Sequence, residues 1–302
     1  MSDETPGAPP ADAEVKAAQP HGMLGFLGAL HIFDALHYRE YRLIWFGQIF
    51  ASMATWMDQV ARGWLLYELT NSTLQLGLIR GVQAIPILLL SPLAGSAADR
   101  YSRKNQILVA QIVDGLLYVI VAILIFAGRI EPWHVYVTAF GMSIVQSFQQ
   151  PSRAAMVGDA VPTEHITNAI GLNSIIFNVA RSAGPAFAGF LIALVGTGGA
   201  YTAQAVCYFL ATIWTWQLRA GQDPAQAGGG KHGHDESIVQ SIVEGWKFSW
   251  RNEAVRASML IVICASIFII PFMTLLPVFA RDVLHVGATG QGLLLSAMGI
   301  GA

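Results

Sequence analysis

The sequence predicts an all-α integral membrane protein, and two observations support this fold class. Hydrophobic residues make up 54% of the 302 positions and charged residues only 12%, whereas soluble domains carry about a quarter charged residues. Apolar runs of about 20 residues, the length that crosses a bilayer, also recur along the chain. A formal net charge of −2 argues against a nucleic-acid partner. The sequence therefore disfavours a water-soluble enzyme.

Seven apolar runs are long enough to be membrane spans, and an eighth begins near residue 289 and runs to residue 302. The runs are 43–67, 74–98, 106–128, 133–157, 170–194, 199–217 and 256–280. Cys207 and Cys264 both lie within such runs, so they predict packing rather than a disulfide framework or a metal site.

Three segments outside the spans differ in composition. Residues 1–22 are rich in Pro, Ala, Gly and acidic residues, which predicts a disordered tail. Residues 23–40 place apolar side chains at helical spacing, which predicts either an amphipathic helix in the membrane interface or a helical lead-in to the first span. Residues 218–255 predict a linker with a second amphipathic helix. Metal binding by His232 and His234 in this linker is the less favoured alternative, so we expect no metal and no cofactor.

Basic residues predict the orientation of the chain, because cytoplasmic loops carry an excess of Lys and Arg. Twelve basic residues fall on one predicted side, against Arg129 and Arg281 on the other. The twelve are Lys16, Arg39, Arg42, Arg100, Arg103, Lys104, Arg153, Arg219, Lys231, Lys247, Arg251 and Arg256. We therefore expect a multi-pass protein of the plasma (inner) membrane with a cytoplasmic N terminus and tail.

Ionisable residues within the first two spans are candidates for function, since such groups are costly in a bilayer and usually face a cavity or a partner. Asp58 and Arg62 are four residues apart with the acid first, the favoured order for a helical ion pair. Arg80 lies at similar depth. The three residues predict either an ion cluster that joins the first two helices or a proton- or substrate-responsive site near the outer mouth.

Three further polar residues fall near the predicted bilayer midplane, on the third, fourth and fifth spans. They are Asp114, Gln146 and Arg181. Transporters bind substrate and coupling ion at this depth, so we take these residues as candidates for a substrate or proton pathway. A structural Arg–Asp pair is the alternative.

The loop after the second span carries a recognisable motif, Gly95-Ser-Ala-Ala-Asp99-Arg100-Tyr-Ser-Arg103-Lys104. It resembles the signature G-x-L-a-D-r-x-G-r-k of the major facilitator superfamily, with Ala97 and Ser102 as departures. In physical terms, we expect Gly95 to permit a close helix approach, and we expect the basic residues to hold the loop at the anionic leaflet. The resemblance implies a gating role for this cytoplasmic loop.

The fifth span contains a second motif with small residues, in which Gly184, Pro185 and Gly189 match the g-x-x-x-G-P-x-x-G-G pattern of exporters in the same superfamily. A simple helix-packing seam is the alternative. Other stretches are similar to the branch that contains enterobactin-type siderophore exporters. This branch resemblance covers residues 37–302. It implies a major facilitator fold with a six-helix N-terminal bundle at 41–217 and the start of a C-terminal bundle at 256–302.

Two departures from the superfamily affect mechanism. Its proton-linked members often carry an arginine within the fourth helix, whereas here the first arginine is Arg153, predicted at the cytoplasmic end of that span. Arg62 or Arg181 would then have to take its part in proton coupling. Members have twelve helices, so we expect the chain to be a C-terminally truncated fragment of a transporter that is monomeric at full length.

These observations predict a secondary active transporter, and no enzyme, that exports a small organic molecule such as a siderophore or drug by alternating access. We expect the lipid bilayer, that molecule and protons to be its partners. An importer of the same fold, or a membrane adaptor or inactive fragment without transport, are the alternatives.

Overall fold

A computed structural model describes residues 31–219, 247, 249–268 and 270–301 of the chain. The predicted tail 1–22 lies outside the described residues, as do residues 23–30 of the predicted amphipathic helix 23–40 and most of the linker 218–255. The division of the chain into these segments therefore stays a prediction.

The described residues form helices joined by short turns, as the fold class predicts. A 3-10 helix at His31–His37 precedes α1 (Arg39–Thr70), α2 (Thr73–Arg100), α3 (Arg103–Phe126) and α4 (Pro132–Asp159). A 3-10 turn at Thr163–His165 leads to the helical stretch Ile166–Trp216, which Gly196 divides into α5 (166–195) and α6 (197–216). Then follow α7 (Glu253–Phe268), α8 (Ile270–Val278), a π-helical turn at Phe279–Val283 and α9 (Gly287–Ile300).

Local signals explain where these helices start and stop. Asn71 ends α1 in the left-handed conformation with φ 48°, which asparagine tolerates better than most residues. The Ser102 side chain accepts a hydrogen bond from the Asn105 amide at the start of α3. Gly196 has φ 73°, a value that favours glycine. This one non-helical residue reverses the direction of the chain. Ala169, near the start of α5, and Ala211, near the end of α6, both lie beside the N-terminal part of α1.

The packing places α1 at the centre of the bundle. It lies along α5 and α6, while α3 packs on α6, and α4 packs on both α2 and α3. A continuous core of buried apolar residues joins α1, α3, α4 and α6. The outward faces are strongly apolar, as at Leu88, which is 74% exposed, and Leu89, which is 70% exposed. Such faces suit a lipid environment, in which burial of apolar groups is not required.

Among the described residues, four helical stretches are long and apolar enough to cross a membrane. They are Thr73–Ser91, Arg103–Phe126, Thr163–Trp216 and Glu253–Val283. Because successive helices run in opposite directions, the bundle has two ends. We call the end with the α2–α3 and α4–α5 connections the Arg103 end, and the end with the α1–α2 connection, Gly196 and the π-helical turn the Tyr67 end.

Candidate functional site

A polar cavity of about 70 Å³ lies inside the bundle. Five helices line it, and most of the lining side chains are polar or ionisable. They are Thr55, Asp58, Gln59 and Arg62 of α1, Gln83 of α2, Asp114 and Tyr118 of α3, Met142, Ser143, Gln146 and Gln149 of α4, and Tyr208 of α6. A water occupies about 30 Å³ in the liquid, so the cavity has room for about two. The structure thus brings four of the five predicted pathway residues, Asp58, Arg62, Asp114 and Gln146, to one place.

Asp58 and Arg62 form a two-pronged ion pair across one turn of α1. The Arg62 Nε lies 2.8 Å from Asp58 Oδ2, and its terminal nitrogen lies 2.9 Å from Oδ1. Arg62 also contacts the Met142 sulfur and the Val135 carbonyl of α4. The Arg62 side chain is only 4% exposed and that of Asp58 13%. The pair therefore ties α1 to α4 and presents the more exposed carboxylate to the cavity.

Arg80 joins α2 to α1 through amides rather than through the carboxylate. Its guanidinium donates to Gln59 Oε1 at 2.7 Å and to Gln83 Oε1 at 3.2 Å. The predicted link between the first two helices is therefore present. It runs through Gln59 instead of joining one ion cluster with Asp58.

Asp114 occupies the middle of α3 and is 4% exposed. Its Oδ1 is buried and has no hydrogen-bond partner within the described part of the chain. Tyr208 of α6 lies beside Asp114, and the Tyr208 hydroxyl is 3.1 Å from Thr55 Oγ1. A hydroxyl chain thus leads from Asp114 back to α1, next to the Asp58–Arg62 pair.

Arg153, predicted at the cytoplasmic end of the fourth span, lies in the last quarter of α4, toward the Arg103 end. Because α4 continues to Asp159, Arg153 lies six residues inside the helix, about 9 Å from its end at 1.5 Å per residue. A terminal guanidinium nitrogen is buried without a hydrogen-bond partner among the described residues. Arg153 is close enough to Asp114 for their charges to interact.

Arg181 does not join Asp114 and Gln146, contrary to the expectation from depth alone. Its guanidinium lies over the Trp56 ring, 5.8 Å from the ring centre, and Phe177 meets the same ring edge-on. Trp56 and Asp58 are two residues apart, which separates their directions by about 200° around α1. The body of α1 therefore stands between Arg181 and the polar cavity, and the predicted Arg–Asp pair is not formed with Asp114.

The loop motif makes polar contacts at the Arg103 end. Arg103 lies 2.6 Å from Asp159 at the end of α4, and Lys104 Nζ donates to the Leu218 carbonyl, just beyond α6, at 2.5 Å. A cation is favourable at this position because the last carbonyls of a helix carry partial negative charge. The close helix approach that we expected at Gly95 is absent from the described structure, since a Cβ there would meet no atom within 4 Å. Arg100 is exposed.

The small residues of the fifth-span motif lie where helices touch. A Cβ at Gly184 would fall 2.7 Å from the Trp56 Cβ of α1, and one at Gly189 would fall 2.5 Å from the Ala288 carbonyl of α9. Pro185 leaves helix donors and acceptors unpaired nearby, and Ser296 of α9 accepts a hydrogen bond from the Ala186 amide at 3.0 Å. The motif therefore forms a seam on both sides of α5.

No group of three or more His, Cys, Asp or Glu side chains that could hold a metal ion occurs in the described ranges. His232 and His234 lie outside those ranges.

Comparison with known proteins shows similarity to membrane exporters. Residues 32–302 match a family model described as "Transmembrane secretion effector". A staphyloferrin A transporter of Staphylococcus aureus (strain NCTC 8325 / PS 47) is 30% identical over 164 residues, which cover 53% of this chain and 41% of the relative. The multidrug efflux pump Tap of Mycolicibacterium fortuitum is 24% identical over 268 residues, covering 86% of this chain and 64% of the relative.

A macrolide efflux protein A of Streptococcus pyogenes is 21% identical over 243 residues, covering 80% of this chain and 59% of that protein. Among solved structures, a bacterial homologue of the human lysosomal transporter Spinster, in an inward-facing and unoccupied conformation, superposes with a TM-score of 0.68 at 14% identity. That match covers 87% of this chain and 60% of the other. At this identity the likeness shows the fold alone. The chain spans between about two fifths and two thirds of the length of these curated relatives.

Proposed function

Because the chain belongs to the transmembrane secretion effectors, a family of major facilitator transporters with efflux-type homologues, we propose that it works in a proton-coupled exporter of small organic molecules. Members of this family are membrane transporters and not enzymes. The exporter moves its substrate by alternating access, with one helical bundle rocking against the other.

The Asp58–Arg62 pair at the wall of the polar cavity is the observation that carries this proposal. An ion pair inside a membrane bundle is costly and usually marks an ion or proton pathway. Here the carboxylate is the more exposed partner and faces Gln146 and Tyr118 across a space large enough for water. Asp58 takes up and releases the proton, and Arg62 stabilises the deprotonated carboxylate through the ion pair.

Asp114 and Arg153 extend the same pathway toward the Arg103 end, since Asp114 shares the cavity and its charge interacts with that of Arg153. Arg153 then supplies the fourth-helix cation that proton-linked members of the superfamily often carry. The Arg103 end is cytoplasmic in this proposal, with the N terminus on the same side and the protein in the plasma membrane. The functional unit is a monomer of the full-length protein.

Export is the proposed direction because the relatives named for efflux carry macrolides or multiple drugs, and because the Gly184–Pro185 seam matches the exporter motif. An importer of the same fold differs only in direction, so the same vesicles decide between the two. An adaptor without transport activity moves no substrate in either direction.

The test uses the full-length natural protein, reconstituted in vesicles with a pH gradient. Ethidium and erythromycin serve as probes, and a pH-sensitive dye reports proton movement when each probe is added. We expect probe-dependent proton flux that Asp58→Asn abolishes and that Arg129→Gln, an exposed arginine outside the spans, leaves unchanged. Probe movement with no proton flux would contradict proton coupling, and no movement of either probe would favour the adaptor.

A further inference from the structure

The charges inside the spans do not balance. Within α1–α6, six Asp, Glu, Lys, Arg or His side chains lie at least six residues from either end of their helices. Four are cationic and two are anionic: Arg62, Arg80, Arg153 and Arg181 against Asp58 and Asp114. An uncompensated charge at this depth costs several kcal/mol, so the surplus of positive charge points to an anionic partner.

Three of the four arginines have polar or charged neighbours. Arg62 is paired with Asp58, Arg80 with the amides of Gln59 and Gln83, and the charge of Arg153 interacts with Asp114. Arg153 and Arg181 both lack a side-chain hydrogen bond and an ion pair across the described ranges, but only Arg153 interacts with the charge of Asp114. The Arg181 guanidinium makes a cation–π contact with Trp56. Arg181 is therefore the arginine with the greatest capacity to accept an anion.

The position of Arg181 suits a ligand rather than a lipid headgroup. It lies 15 residues from the start of α5, about 22 Å at 1.5 Å per residue, whereas headgroups lie near helix ends. Arg181 is half-buried and so remains accessible. Its backbone carbonyl lies where α9 crosses α5, since a Cβ at Gly299 would fall 2.8 Å from that oxygen. Arg181 is thus at the seam between the first six helices and the ones that follow.

The surrounding face of α5 offers further polar and aromatic contacts. Ser174 and Asn178 precede Arg181 by seven and three residues, which places them on the same helix face, and both are exposed. Phe177 is 48% exposed and packs edge-on against Trp56. This face combines a cation, an amide, a hydroxyl and two aromatic rings in an otherwise apolar region.

We propose that Arg181, held by Trp56 and flanked by Asn178 and Phe177, is a recognition site for a carboxylated organic substrate. The inference rests on the proposed transport function and names the substrate class. The planar guanidinium binds a carboxylate with two parallel hydrogen bonds, while the Trp56 ring covers one of its faces and leaves the N–H edges available. The apolar or aromatic part of the substrate packs on Phe177 and Trp56.

The experiment measures binding of two fluorescent probes of opposite charge to the full-length protein in zwitterionic nanodiscs. Carboxyfluorescein is the carboxylated aromatic anion, and ethidium is the aromatic cation. We expect Arg181→Gln to weaken carboxyfluorescein binding about tenfold or more, the loss of a charge-assisted hydrogen bond. Arg181→Lys should retain part of the affinity, and Arg129→Gln should bind as the natural protein does. Ethidium binding should not weaken in any of the three variants.

Three results would overturn the inference. They are no binding of carboxyfluorescein to the natural protein, equal binding to Arg181→Gln, and an equal loss for both probes in Arg181→Gln, which would indicate a purely structural role. Thermal unfolding of each variant identifies a misfolded protein. If Arg181→Gln does not fold, Trp56→Phe, which keeps an aromatic ring beside Arg181, provides a second test: we expect it to change the binding of carboxyfluorescein and not that of ethidium.

The proposed function fails separately from this inference. Proton-driven efflux of ethidium that is independent of Arg181 would leave the exporter standing while removing the anion site. Carboxyfluorescein binding that depends on Arg181, without any proton-coupled flux, would support the anion site and contradict the proton-coupled exporter.

Discussion

The Tyr67 hydroxyl donates a hydrogen bond to the Asp282 carboxylate, and this contact joins the last turn of α1 to the π-helical turn after α8. Arg281 lies over the Tyr67 ring, 5.5 Å from its centre. A Cβ at Gly63 would also fall 3.3 Å from Pro277 of α8. The first bundle and the following helices are therefore fastened together at the Tyr67 end.

Removing this fastening should open the Tyr67 end. A hydrogen bond to a charged group contributes about 1.5–3 kcal/mol, so Tyr67→Phe or Asp282→Asn should shift an open–closed equilibrium by roughly tenfold. Spin labels at Leu74 and Val286, both exposed, report the separation of α2 and α9 at this end. We expect longer distances in both variants. Unchanged distances would mean that the apolar contacts alone hold this end closed.

The Asp58–Arg62 pair should matter for stability as well as for transport. Removing one partner of a buried ion pair leaves the other charge uncompensated, at a cost of about 3–5 kcal/mol. We therefore expect Asp58→Asn and Arg62→Gln each to lower the unfolding temperature in detergent. The double variant should be more stable than the sum of the two changes predicts. Additive losses would contradict a direct interaction.

The α5–α9 seam makes a prediction with a control on the same helix. Gly189→Ala places a methyl group 2.5 Å from the Ala288 carbonyl, and overpacking of this kind costs about 1–3 kcal/mol. Gly171→Ala adds the same methyl group where no atom lies within 4 Å, so it should stabilise the helix by up to about 1 kcal/mol. Thermal unfolding compares the two. A neutral Gly189→Ala would show that α9 is free to move away.

The Arg103–Asp159 ion pair should brace α3 against α4 at the Arg103 end. We expect a double-mutant cycle of Arg103→Gln and Asp159→Asn to give a coupling energy on the order of 1 kcal/mol, because the two groups are in direct contact. Chemical unfolding of the full-length protein measures it. A coupling energy near zero would reduce the contact to a surface pair of little consequence.

Sequence patterns were sufficient for the helices and for one contact in the site. Apolar run length is a local property, so the helices that contain the predicted runs could be placed, although α1 extends to Arg39–Thr70 beyond the predicted 43–67. The Asp58–Arg62 pair was predictable because both residues lie on one helix at a fixed spacing.

The rest depended on how helices turn their faces toward each other. Depth along a span grouped Arg181 with Asp114, yet rotation about α1 and α5 separates them. The same limit applies to Tyr67 and Asp282, which are 215 positions apart. No periodicity along one chain segment encodes a contact of this kind.

The connection between α5 and α6 is a single residue, Gly196. Its neighbours on both sides are helical, so the two helices are joined by one residue at the Tyr67 end. α5 places Gly189 and Arg181 against α9, and α6 places Tyr208 in the wall of the polar cavity. A shift of α5 that follows α9 would therefore reach α6 through a connection of one residue. In the proposed exporter, this connection links the candidate substrate site at Arg181 to the candidate proton site at Asp58, on opposite sides of α1.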